Sequence, residues 1–136
     1  MGEKRDGTWR EEGILRQFPE AGPEVLWRAP VGHGYSGPAV TGGRVYLMDL
    51  VIEEGTVVND AGSQARLRGS ERVLCHDAGS GKLLWSHTER REYEVSYPGG
   101  PRATPTVDGG QVFALGAMGH LTCLSTKGTV EWEKDL

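Results

Sequence analysis

The residues of this chain whose types could do chemistry are four histidines, two cysteines and one serine set in a glycine-rich stretch. His33, His76, His87 and His120 are scattered, with no Cys-x-x-Cys or His-x-x-x-His spacing, so the usual ligand patterns for zinc are missing. Cys75 and His76 are adjacent, and strand alternation sends neighbours to opposite faces. Cys75 and Cys123 are too few for a disulfide scaffold and read as two small buried residues. Ser36, in GYSGP, follows no strand-to-helix elbow of the kind that activates a serine, and reads as a turn residue. No catalytic residue and no metal ligand is therefore expected. What remains is recognition chemistry: His33, Tyr35, Arg66, Arg68, Tyr93, Tyr97 and Arg102 all fall on connections between apolar runs.

Those connections hang on a repeat. The stretch GPAVTGGRVYLM, Gly37 to Met48, returns as TPTVDGGQVFAL, Thr104 to Leu115. Pro38 aligns with Pro105, Val40 with Val107, Gly42-Gly43 with Gly109-Gly110, Val45 with Val112 and Tyr46 with Phe113. Farther on, RVLCHDAGSGKLLW aligns with HLTCLSTKGTVEW, so that Cys75 meets Cys123, Gly81 meets Gly128 and Trp85 meets Trp132. Internal repeats of this kind decide the fold before any single element does. Short apolar runs alternate with glycine turns, and no segment sustains helical spacing. The fold class expected is all-β: two units of four strands, over residues 39–88 and 105–134. An irregular lead-in over 1–23, in which Trp9 is expected to dock on the body, and a separate strand over 24–29 carrying Trp27 precede them. A four-stranded sheet cannot cover both of its faces alone; radial stacking of copies does so, with a tryptophan filling each gap.

The strand order places the tight turns on one rim. The long connections, residues 30–37, 53–70 and 89–103, gather on the other, where a rigid scaffold would present binding residues. Of 136 residues 21 are glycine, without the period of collagen. A net charge of −4 gives no footing for nucleic-acid binding, and no apolar run approaches a membrane span. The first 13 residues are polar and contain no signal peptide.

Pro-x-Val-x-x-Gly-x-Val-(Tyr/Phe), followed by HDAGSGKLLW, resembles the repeat of pyrroloquinoline-quinone (PQQ)-type β-propellers. In that family the signature runs Asp-Ala-x-Thr-Gly-Lys-x-x-Trp; Asp77, Gly81 and Trp85 match it, with Ser80 at the usual threonine. The second copy departs further, with Ser125 in place of the aspartate. YPGGPRATPTVDG is also similar to bacterial PQQ-like repeat proteins. The resemblance implies a partial propeller of WD40-like radial architecture. Such propellers have on the order of seven or eight blades, against about two here, so an N-terminal fragment of a longer protein is expected. It also implies that Trp27, Trp85, Trp132, Asp77, Gly81 and Gly128 are structural residues of the repeat. The first expectation for function is a non-catalytic segment that binds a protein or small ligand through the long-loop rim. The alternative is the N-terminal part of a quinoprotein alcohol dehydrogenase, and a third reading is a module that assembles with copies of itself. No cofactor is expected in this chain, which lacks the vicinal cysteine pair of the family's dehydrogenases; the resemblance leaves PQQ with calcium possible only in a full-length parent. Partners expected are the remaining blades or further copies, and the resemblance implies an extracytoplasmic setting.

Overall fold

A computed structural model describes residues 12–13, 15–58, 60, 62, 64–95 and 99–136. Eight strands follow one another without a helix among the described residues: β1 (Ala39–Thr41), β2 (Arg44–Glu54), β3 (Ala65–Asp77), β4 (Leu83–Val95), β5 (Thr106–Asp108), β6 (Gln111–Leu115), β7 (His120–Ser125) and β8 (Val130–Asp135). They form two four-stranded sheets, β1-β2-β3-β4 and β5-β6-β7-β8, antiparallel throughout. These are the two blades of the expected partial propeller, and the fold is all-β.

Each blade opens on a two-residue hairpin. Gly42 and Gly43 have φ of 56° and 71°, and Gly109 and Gly110 have 54° and 84°. Both central residues of such a turn need positive φ, which only glycine adopts without strain. Each blade also carries a bulge at the same place, between Cys75 and His76 in the first and Cys123 and Leu124 in the second. The bulge leaves Trp85 opposite Cys75 and Trp132 opposite Cys123. In each blade the tryptophan therefore tilts against the aromatic residue of the second strand, Tyr46–Trp85 and Phe113–Trp132, both with centroids 6.0 Å apart.

The sheets pack face to face. Tyr46, Met48, Val73 and Cys75 from the first blade meet Val112, Ala114 and Leu124 from the second, all buried. A smaller core of Leu50, Leu67 and Tyr93 lies farther along the first blade. Cys75 and Cys123 are both buried and unbridged.

Three sequence expectations are corrected. Residues 24–29 form no strand and pair with no ladder. The loop expected over 53–70 is shorter than that, because β2 continues to Glu54 and β3 begins at Ala65. The connection expected over 89–103 likewise gives way to β4 as far as Val95. Both extensions are rich in charge, which reads as loop along one strand; the charges are instead matched across strands. Arg68 reaches Glu92 at 2.8 Å and Glu54 at 3.5 Å, and Arg66 reaches Glu94 at 3.5 Å.

Candidate functional site

Three places bring functional side chains together: the loop rim, the tryptophan docking surfaces, and a cleft between the blades.

The rim assembles residues 30–37 against 99–102. His33 bridges to Leu50 through paired backbone hydrogen bonds of 2.8 and 2.7 Å, and the Tyr35 N–H donates to the Pro101 carbonyl at 2.8 Å. Gly32 donates to the Asp49 carboxylate at 2.5 Å. Asp49 is 1% exposed and takes a two-pronged bond from Arg72, Nε to Oδ1 at 2.8 Å and Nη2 to Oδ2 at 2.5 Å. That fork satisfies both carboxylate oxygens and holds the guanidinium above its usual pKa. The loop thus sits on a rigid base, and it presents Tyr35 with the Arg102 guanidinium 6.0 Å from its ring centroid. Both side chains are exposed.

Of the seven residues expected on this rim, His33, Tyr35 and Arg102 are there. Arg66 and Arg68 are strand residues of β3, tied into the cross-strand charge pairs. Tyr93 is on β4, 1% exposed, and its hydroxyl donates to the Glu71 carboxylate. Burial, with the carboxylate beside it, pushes the Tyr93 pKa up. Strand alternation places Tyr93 on the face that carries Leu67; a tyrosine amid charged residues does not announce that in sequence. Tyr97 and Trp9 lie outside the described residues.

The tryptophans follow one rule twice. The Trp27 indole N–H donates to the Ala78 carbonyl at 2.9 Å, and its ring lies on Gly81, where an added Cβ would fall 2.5 Å from the indole. The Trp85 N–H donates to the Thr126 carbonyl at 3.0 Å, and its ring lies on Gly128, where a Cβ would fall 2.7 Å away. Gly81 and Gly128 are thus docking floors as well as turns. Asp77 holds the first turn, accepting from the Ser80 N–H at 2.8 Å and its hydroxyl at 2.6 Å; those bonds keep its carboxyl below the usual range. Trp132 breaks the series: it is 42% exposed, and its N–H has no acceptor among the described residues. With Phe113, Leu115 and Leu121 it occupies the face of the second blade that corresponds to the covered face of the first.

Between the blades a cleft of about 240 Å³ is lined by Glu89, Arg91, His120, Leu121, Thr122, Glu133, Lys134 and Asp135. At its edge His87 Nε2 lies 3.0 Å from Glu89 Oε1 and 3.8 Å from Glu133 Oε1. Arg91 pairs with the other oxygen of Glu89, and burial lowers the His87 pKa. Spacing along the chain did not reveal this cluster, because Glu133 comes from the neighbouring blade; the one local signal is His87-x-Glu89, two residues on one face of a strand.

The rings of Trp27 and Trp85 are pressed into glycine turns, and the two cysteines are buried in separate blades. No helix among the described residues is long and apolar enough to cross a membrane. Among curated proteins no sequence matches the chain. The family model for the outer membrane protein assembly factor BamB matches residues 11–136. With its repeat, its two blades and nearly its whole length accounted for, the chain belongs to this family of PQQ-like repeat propellers.

Proposed function

We propose that the chain is a non-catalytic propeller segment, a scaffold for protein association whose principal contact is the open face around Trp132. The observation that carries this reading is the tryptophan series: two indoles each fill a glycine turn and find a carbonyl, and the third has neither. The partner that fits is another blade with a free glycine turn. Both such turns in this chain are filled, Gly81 by Trp27 and Gly128 by Trp85. A second copy can dock head to tail only if Trp27 leaves Gly81. Trp27 therefore acts as a plug against self-association, and the occupant that fits is a further blade whose glycine turn is free. Family membership supports an extracytoplasmic setting for this assembly.

The plug makes the reading testable by sedimentation velocity. The unmodified chain is expected to stay monomeric at tens of micromolar. Trp27→Ala, which opens the Gly81 turn, is expected to shift it to dimers and longer head-to-tail species. The double variant Trp27→Ala/Trp132→Ala is expected to return it to monomer. Association that survives loss of Trp132 would refute the proposal.

The rim supports a second contact. Tyr35 and Arg102 are exposed and stacked on a base fixed by Asp49 and Arg72, an arrangement suited to an acidic or aromatic protein segment.

A further inference from the structure

We propose that His87, Glu89 and Glu133 form a binding site for a divalent transition metal of the zinc type, which ties the first blade to the second. The three ligand atoms all lie within 4.8 Å of one another. Ligands roughly 2 Å from a tetrahedral zinc ion stand about 3.3 Å apart. The 3.0 and 3.8 Å separations from His87 Nε2 to the two carboxylates bracket that spacing, so small side-chain movements suffice. His87 and Glu89 project from the same face of β4, and Glu133 reaches them from β8 of the other sheet. Strand β4 thus supplies two ligands with fixed relative positions, and the third crosses the blade interface.

The surroundings fit a cation. Arg91 binds one oxygen of Glu89 and leaves Oε1 turned to His87, the arrangement by which a neighbouring group orients a metal-binding carboxylate. A neutral imidazole can donate a single proton through Nε2, and two carboxylate oxygens face that one atom. A divalent ion replaces the proton and satisfies all three groups together. Glu89, Glu133 and Asp135 also outnumber the permanent cations of the cleft, Arg91 and Lys134. The imidazole selects zinc-like ions over magnesium or calcium, which prefer all-oxygen shells. Three protein ligands leave a fourth position, and the adjoining cleft has room there for water.

The test uses the full chain after chelation and dialysis, with zinc chloride as ligand, cobalt(II) as spectroscopic probe and magnesium chloride as control. The expected results are saturable zinc binding at one ion per chain, a zinc-dependent rise in melting temperature, and a four-coordinate cobalt spectrum, none of them given by magnesium. His87→Ala and Glu133→Gln are each expected to weaken zinc at least tenfold. Glu133 is 47% exposed, so its substitution leaves the fold intact and keeps the test informative if His87→Ala folds poorly. Glu92→Gln, on the opposite face of β4, is the control that keeps full affinity. Absence of saturable binding overturns the proposal. So does binding that survives both ligand substitutions, or that is lost instead in His120→Ala, which would place the ion at His120 and Asp135.

Discussion

At the scale of single residues, the least exposed polar groups hold the rim and the blade interface. Asp49 satisfies Arg72 and the Gly32 N–H at once, so removing it strands a guanidinium and frees the loop that carries His33 and Tyr35. Losing a hydrogen bond to a charged group costs about 1.5–3 kcal/mol, and the Arg72 side chain, 29% exposed, regains part of its lost bonds from water. Asp49→Ala is expected to lower stability by that order in urea titration. A loss below about 1 kcal/mol would mean that the fork is not a structural anchor. Tyr93 gives a pH signature. Its folded pKa is raised above the ordinary 10.0 by burial and by the Glu71 carboxylate, so the folded state holds the proton more tightly than the unfolded chain. The stability this represents is complete below the ordinary tyrosine pKa and is lost as pH rises above it. Tyr46 is raised in the same direction by burial. Tyr93→Phe is therefore expected to reduce, without abolishing, the fall in stability above pH 10.0, and to cost about 1–3 kcal/mol at neutral pH by leaving Glu71 without its donor. Denaturation at neutral and alkaline pH measures both effects, and an unchanged alkaline slope would count against the assignment.

At the scale of elements, the repeat was legible because glycine and tryptophan do jobs that few other residues can do. Gly42-Gly43 and Gly109-Gly110 mark hairpins by the positive φ they adopt, and Trp85 and Trp132 mark equivalent strands by their place opposite a cysteine. The ends of β3 and β4 were not legible. Arg66, Arg68, Glu92 and Glu94 look like loop residues until they are seen opposite one another, and register between strands is not written in either strand alone. The site was less readable still: Tyr35 and Arg102 fell on the rim as expected, but Asp49–Arg72 and His87–Glu133 join residues far apart in sequence. Gly128 and Gly81 test the docking role of the turns. Both have positive φ and an indole where a Cβ would go. Alanine at either is expected to cost about 1–3 kcal/mol from backbone strain, and more where the displaced indole binds two blades. Gly128→Ala displaces Trp85 from the interface, whereas Gly81→Ala displaces only the lead-in carrying Trp27. Gly128→Ala is thus expected to be the more damaging, and thermal unfolding of the pair decides it. Equal losses would mean that the interface contributes nothing beyond turn strain.

At the scale of the whole molecule, cooperativity depends on the seam between the sheets. The shared core draws Tyr46, Met48, Val73 and Cys75 from one blade and Val112, Ala114 and Leu124 from the other, with Trp85 packed at its border. A repeat protein unfolds as one unit only while the coupling between neighbours exceeds the difference in their intrinsic stabilities. The second blade has short strands and an open face around Trp132, so it is the weaker partner and relies on this seam. Trp85 contributes twice to the coupling, by its ring on Gly128 and by its bond to the Thr126 carbonyl. Trp85→Ala removes both and, because Trp85 is only partly buried, is expected to cost somewhat less than the roughly 3–5 kcal/mol of a fully buried tryptophan. Because the loss falls on the coupling, the single transition is expected to split, with the second blade opening first. Hydrogen exchange distinguishes this outcome from uniform weakening. In the unmodified chain the protected amides of β2, β3, β6 and β7 are expected to exchange with one common free energy. In Trp85→Ala those of β6 and β7 are expected to exchange faster than those of β2 and β3. Equal acceleration in both sheets would show that the two blades form a single cooperative unit that no one docking residue controls.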